Sequence, residues 1–180
     1  VGRSCLAKLL EQGHRVRCLD LRTKHGQKHA RTYDRNVDVV WGDLRRPDEV
    51  TAAVQDQEAV IHLAFVLPPA SEDRPDWAHE INVGGTTNLL KAMKGLPSPP
   101  RIVFASSFSV FGETQHLPPP RTVSDPVQPM DNYNRHKVEC ERLVQNSGLA
   151  WAILRLGVVP PSGLSGFNPK MFDIPPGSRV

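Results

Sequence analysis

Hydrophobic and polar positions follow two rhythms along this chain. From residue 3 to 12 the apolar side chains Cys5, Leu6, Leu9 and Leu10 recur at helical spacing, and Gly13 follows as a helix stop. RVRCLD at 15–20 and VDVVW at 37–41 read as short strands, separated by a polar, basic loop over 21–36. Pro47 opens a helix, PDEVTAAVQ, with acids in its first turn. EAVIHLA at 58–64, apolar but for Glu58 and His62, reads as a buried parallel strand. LPPASEDRP at 67–75 reads as a loop, and a long helix is expected over 76–94. Gly84 and Gly85 lie inside that helix, where each costs about 1 kcal/mol against Ala, so close packing against their backbone is expected.

RIVFASS at 101–107 is the next strand, followed by a proline-rich loop over 108–130. Residues 131–148 form a helix between an Asp131 cap and a Gly148 stop, and AWAILRL at 150–156 is a last strand. The remainder, from Gly157 to Val180, is rich in Gly and Pro and has no period. Strands alternating with helices predict a parallel α/β sheet.

Composition narrows the classes. The 180 residues suit one domain. The 22 Lys and Arg against 19 Asp and Glu give a net charge of +3, too weak for a nucleic-acid footprint. No run approaches the ~20 apolar residues of a membrane helix, and VGRSCLAKLL does not read as a secretory signal. No nucleic-acid or membrane partner is expected. Cys5, Cys18 and Cys140 are odd in number and lack CxxC spacing, which points to reduced thiols in the cytoplasm.

Four positions carry candidate chemistry. Tyr133 and Lys137 share one helix face at i and i+4. An ammonium beside a phenol favours the phenolate, so Tyr133 is expected to have a lowered pKa and to act as a general acid and base. Ser107 ends a strand, where ligands of parallel sheets bind, and can polarise the same substrate oxygen. Asp20 ends a strand 18 residues after Gly2, the place of an acid that binds the adenosine ribose. Its charge would repel a 2′-phosphate, favouring NAD over NADP, although Arg22 weakens that preference. Gly2 opens the first helix and could end a phosphate-binding turn. By contrast, His25 and His29 are four apart but flanked by Lys24, Lys28 and Arg31, so no metal is expected there. His62 reads as a core or cofactor-facing histidine.

Taken together, residues 1–157 resemble the extended short-chain dehydrogenase/reductase superfamily, in its NAD-dependent epimerase/dehydratase family. The stretches that carry the likeness are VGRSCLAKLL, RCLD, Gly42–Leu44 (GDL), VIHLA, INVGGTTNLL, FASSFSVFG, YNRHK and ILRLG. They stand in family order, with 26 residues from Ser107 to Tyr133. The resemblance implies an α/β Rossmann-type doubly wound parallel sheet, here incomplete, with the first central strand absent. It implies a partial NAD-binding domain at 1–157 and the start of a truncated substrate segment at 158–180. On this reading the chain is a fragment, expected to be poorly stable and to bind NAD weakly by itself.

Site roles follow from the same likeness. Gly2 would belong to the pyrophosphate turn, Asp20 would bind the adenosine ribose, and Asp43 would reach the adenine amino group beside the Leu44 backbone. Leu63 and Ala64 would line the cofactor, and Asn82 would order the active-site helix and a water or substrate group. Ser107, Tyr133 and Lys137 would be catalytic, Lys137 also holding the nicotinamide ribose.

Departures from the family pattern shape the expected function. Dehydratases carry Asp-Glu where this chain has Phe108 and Ser109, which argues against a 4,6-dehydratase. The Asn that often touches a nucleotide sugar is replaced in the run Val158-Val159-Pro160-Pro161. The expected function is a nucleotide-sugar epimerase. An NAD(P)-dependent dehydrogenase of a non-sugar alcohol and a non-catalytic NAD-binding regulator stand as alternatives. The resemblance also suggests a homodimer of the full-length protein.

Overall fold

In the computed structural model, residues 1–33, 37–114, 116–157 and 159 are described. Expectations for Val158 and residues 160–180, the proposed substrate segment included, lie outside them. Five strands form: β1 (Val16–Asp20), β2 (Val37–Trp41), β3 (Ala59–His62), β4 (Arg101–Ser107) and β5 (Trp151–Leu156). Every ladder is parallel. β1 pairs with β2, Val16 opposite Val37. β3 pairs with β4, Ala59 opposite Arg101, and β4 with β5, Ile102 opposite Trp151. The strands thus make two sheets, ordered β1-β2 and β3-β4-β5. This is the incomplete Rossmann-type sheet that the sequence predicts, and its cost is visible: no residue of β1 or β2 is fully buried, and Ile61 on β3 is 38% exposed.

The helices are α1 (Gly2–Glu11), α2 (Lys24–Ala30), α3 (Pro47–Val54), α4 (Ala70–Asp73), α5 (Pro75–His79), α6 (Gly85–Lys94) and α7 (Asn132–Gln145). The main core joins α3, α6 and α7 to the larger sheet through Val50, Leu89, Met93, Ile102, Phe104 and Val144. Phe104 and Met93 are wholly buried, each stabilising the fold by about 1.5–3 kcal/mol. Among the described residues no helix is long and apolar enough to cross a membrane. The three cysteines are free thiols.

Three expectations change. The loop expected over 21–36 contains α2, which starts where the Thr23 hydroxyl accepts the Gly26 N–H at 2.9 Å and buries no residue. Likewise, α4 interrupts the loop expected at 67–75, with Ser71 fully buried. The single helix expected at 76–94 is α5, a π-turn at Glu80–Gly84, and α6. Only one of the two glycines is needed for packing. A Cβ on Gly85 would stand 2.8 Å from the Leu44 Cβ, whereas one on Gly84 would meet nothing.

His62 is a satisfied core histidine. Its Nε2 lies 2.9 Å from the Thr86 hydroxyl, and its ring packs on Phe104 at 5.6 Å. Burial, helped by the Lys137 ammonium, pushes its pKa down to about 4. Between pH 6.5 and 4 the unfolded chain therefore takes up a proton that the folded chain refuses. Stability is expected to fall as pH drops through that window, by on the order of 3 kcal/mol in total. Denaturation midpoints from pH 7 to 4.5 check this, and His62→Gln should flatten the slope.

Candidate functional site

The carboxyl end of β4 and the first turn of α7 meet. Ser107 closes β4 and caps a 3-10 turn at Phe108–Phe111, its Oγ accepting the Ser109 N–H. The Ser107 and Ser109 hydroxyls are 2.6 Å apart. Ser109 donates in turn to the Asn134 Oδ1, and the Asn134 amide donates to Asp131 at 2.9 Å. Since Ser109 spends its proton on Asn134, Ser107 is the donor between the two serines. Ser109 and Asn134 thus orient Ser107, a role the sequence reading did not assign. A hydroxyl two residues after Ser107 and a polar residue beside Tyr133 were its only signals.

Tyr133 lies in the first turn of α7, its ring edge-on to Phe65 at 5.7 Å. The Ser107 hydroxyl lies close enough to the Tyr133 phenol to act on its protonation. The expected lowering of its pKa is not what the structure shows. Partial burial raises it, with the nearby Ser107 hydroxyl pulling down and the Asp131 charge pushing up. The reason is where the ammonium goes. The Lys137 Nζ donates to the Ala105 carbonyl at 2.6 Å, 5.6 Å from the centre of the Tyr133 ring. It stacks 3.5 Å from the centroid of Phe65 and 4.9 Å from that of Phe104. Lys137 is only 4% exposed, and burial pushes its pKa down to about 8, so it stays largely charged at pH 7.

Asn82 sits in the π-turn, 1% exposed. Its Oδ1 accepts the Val66 N–H at 2.7 Å and its amide donates to the Val66 carbonyl at 3.2 Å, with the His136 Nδ1 at 3.3 Å. Asn82 thus acts as a clamp. Asn82 holds the segment after β3 and with it Phe65. The π-turn leaves the Asn82 carbonyl to take the Thr86 hydroxyl and the Cys140 thiol.

The expected adenosine residues gather at the carboxyl ends of β1 and β2. A cleft of about 460 Å³ is lined by Leu21, Arg22, Trp41, Gly42, Asp43 and Glu49. The exposed Asp20 uses Oδ1 to accept the Leu21 N–H, and a carboxylate has further acceptor capacity. Asp43 is bound by its neighbour Arg45 at 2.6 Å, whose hydrogen bonds hold its pKa low, so an adenine amino group must share that carboxylate. The Leu44 carbonyl is taken by the Asn88 amide at 2.9 Å. Gly2 begins α1 close to the end of β3: a Cβ there would stand 3.9 Å from Leu63. Ala64 is exposed beside it. His25 and His29 have their Nε2 atoms 3.1 Å apart, and among the described residues no group of three or more metal-ligating side chains forms.

Parallel strands with crossover helices, and a Ser–Tyr–Lys cluster at a strand's carboxyl end, define a Rossmann-type protein of the short-chain dehydrogenase/reductase class. The chain belongs to the NAD dependent epimerase/dehydratase family, whose model matches residues 1–169. It is 32% identical over 133 residues to D-erythronate dehydrogenase of Cupriavidus necator, covering 73% of this chain and 39% of that protein. It is 36% identical over 83 residues to CDP-paratose 2-epimerase of Salmonella typhi, covering 44% and 25%. The chain thus spans well under half the length of these relatives. A short-chain dehydrogenase/reductase superfamily protein from Agrobacterium tumefaciens, solved with bound NAD, superposes with a TM-score of 0.69 at 33% identity, covering 86% of this chain and 45% of that one.

Proposed function

We propose that the protein containing this chain oxidises a secondary alcohol, or reduces the matching ketone, with NAD. The carrying observation is that the Tyr133 phenol lies near enough to the Ser107 hydroxyl to feel it, on the helix face that also carries the buried Lys137 ammonium. Tyr133 takes the alcohol proton and Ser107 holds the reacting oxygen. The phenol must first be deprotonated; the Ser107 hydroxyl favours this once its proton turns from Ser109 to the phenol, and partial burial opposes it. Lys137 gives one N–H to the Ala105 carbonyl and keeps two further donors, with which it would hold a ribose hydroxyl.

The residues fit NAD. The cleft beside Asp20 and Asp43 would take the adenosine, Gly2, Leu63 and Ala64 would border the pyrophosphate, and Lys137 and Tyr133 would hold the nicotinamide side. Bound NAD supplies the hydride acceptor. Asn82 acts on this site through the Val66 segment.

The first reading of the substrate is a nucleotide sugar undergoing epimerisation, in keeping with the likeness to CDP-paratose 2-epimerase. A specific observation favours a second reading, dehydrogenation of a hydroxy acid. Val158 stands where a sugar-contacting Asn is expected, and D-erythronate dehydrogenase is among the relatives. The test incubates the intact protein with NAD and either UDP-glucose or D-erythronate. Epimerisation converts substrate with no accumulation of NADH, whereas dehydrogenation produces one NADH per substrate consumed. No turnover with either substrate class would count against the proposal.

A further inference from the structure

The first turn of α7, which carries Tyr133, has three backbone N–H groups without partners inside the helix: those of Asn132, Tyr133 and Asn134. Asp131, the local cap, accepts only one, the Asn134 N–H at 2.7 Å. The other two go to a carboxylate sixty residues away. The Glu72 Oε2 accepts the Asn132 N–H at 2.9 Å, and its Oε1 accepts the N–H of Tyr133 itself at 3.1 Å. Glu72 is held in turn. The Ser71 hydroxyl donates to its Oε1 at 2.8 Å, and Ser71 is fully buried. The chain leading to it is fixed at Val66 by Asn82. Two carboxylates at one helix N-terminus also match the helix dipole.

We propose that Glu72 is a positioning residue for Tyr133: by holding the N–H groups of Asn132 and Tyr133, it fixes the turn that sets the phenol against Ser107. The proposal rests on the reading of Tyr133 as the acid–base group for its functional meaning, but its physical content is independent of that reading. Asp131 alone leaves two donors free, so the turn could fray at the residue whose ring must be placed. Small displacements of a reacting group cost rate steeply, a misplacement of about 1 Å as much as 10²-fold.

The test needs no substrate. In the intact protein labelled with [¹³Cζ]tyrosine, the Tyr133 resonance is assigned by its loss in Tyr133→Phe, and its pH titration is followed in Glu72→Gln and Glu72→Ala. Amide hydrogen exchange is measured in parallel. The wild-type phenol should titrate above 10, because partial burial raises it. In Glu72→Ala the titration should move down toward about 10, the value of a solvated phenol. Exchange at Asn132 and Tyr133 should quicken by roughly tenfold or more, since each N–H loses a charged acceptor, while residues 138–145 keep their protection. Glu72→Gln, which keeps the shape and one acceptor oxygen, should fall between. An unchanged titration overturns the proposal, whether or not exchange quickens, because Glu72 is then only a cap. A shifted titration with unchanged exchange overturns the route through the two N–H groups. Loss of the fold in both variants marks Glu72 as structural and overturns it as well. If Tyr133→Phe leaves turnover intact, the acid–base reading falls, while the titration result still decides the role of Glu72.

Discussion

Tyr133→Phe is expected to lower turnover of the intact protein by about 10²–10⁴-fold, the range that a positioned acid–base group contributes. The substitution is clean because it keeps the ring. The edge-on contact with Phe65 at 5.7 Å and the placement of the first turn of α7 do not need the hydroxyl. What disappears is the hydroxyl beside Ser107 that is proposed to take or give a proton at the substrate oxygen. The loss should fall mainly on kcat, while the dissociation constant of the cofactor, measured by titration calorimetry, should rise only by the single nicotinamide-side contact that the hydroxyl makes, with Lys137 and the adenosine cleft still in place. Unchanged turnover would remove Tyr133 from the chemistry. Unchanged biological function with NAD still bound would favour the non-catalytic regulator.

The largest effect on stability is expected at Glu141. This side chain is 5% exposed on α7 and gathers three donors from the sheet below it. Its Oε1 takes the Ser106 hydroxyl and the Arg155 Nε at 3.0 Å, and its Oε2 takes the Arg155 Nη2 at 2.7 Å. Ser106 and Arg155 face each other in the β4–β5 register, so one carboxylate ties α7 to both strands at the end where Ser107 stands. Arg155 is itself 18% exposed and lies over the Phe111 ring at 4.8 Å. Glu141→Ala leaves that guanidinium buried without its counter-charge and the Ser106 hydroxyl without its acceptor. Breaking a buried pair in this way costs about 3–5 kcal/mol, a large part of the ~5–15 kcal/mol that holds a domain together. Chemical denaturation of the intact protein measures it. The double variant Glu141→Leu/Arg155→Met should recover most of the loss, since removing both charges removes the burial penalty too. A double variant as unstable as Glu141→Ala would show that packing volume, not charge, dominates.

How much of the site could be read in advance depends on the distance between partners. Ser107, Tyr133 and Lys137 were legible because each sits in a local pattern: a strand end, and two residues one helical turn apart. Asp131 was legible as a cap for the same reason, and it does accept the Asn134 N–H. The partners that arrange these groups were not. Ser109 meets Asn134 across 25 residues, Asn82 meets Val66 across 16, and Glu72 reaches Tyr133 across 61. Each contact is between polar groups of ordinary type, with no spacing to mark it. The effect of Lys137 on the phenol was misjudged because i and i+4 place two side chains on one face without saying where their tips go. Here the ammonium turns to the Ala105 carbonyl and the Phe65 ring. The short helix α2 was missed because it buries nothing, so no apolar period announces it.

By itself the sequence determined the alternation of strand and helix, the parallel α/β class, and the Tyr133–Lys137 pair with Ser107 before it. These follow from apolar periodicity and from groups within a turn or two of one another, which the chain brings together wherever it folds. Only the tertiary structure decided the π-turn at Glu80–Gly84, the protonation tendency of Tyr133 and the capping of its helix by Glu72. Those depend on which distant segments come to lie side by side, and on how much water is left between them. Hydrogen bonding and desolvation at that range belong to the packed molecule rather than to any stretch of chain.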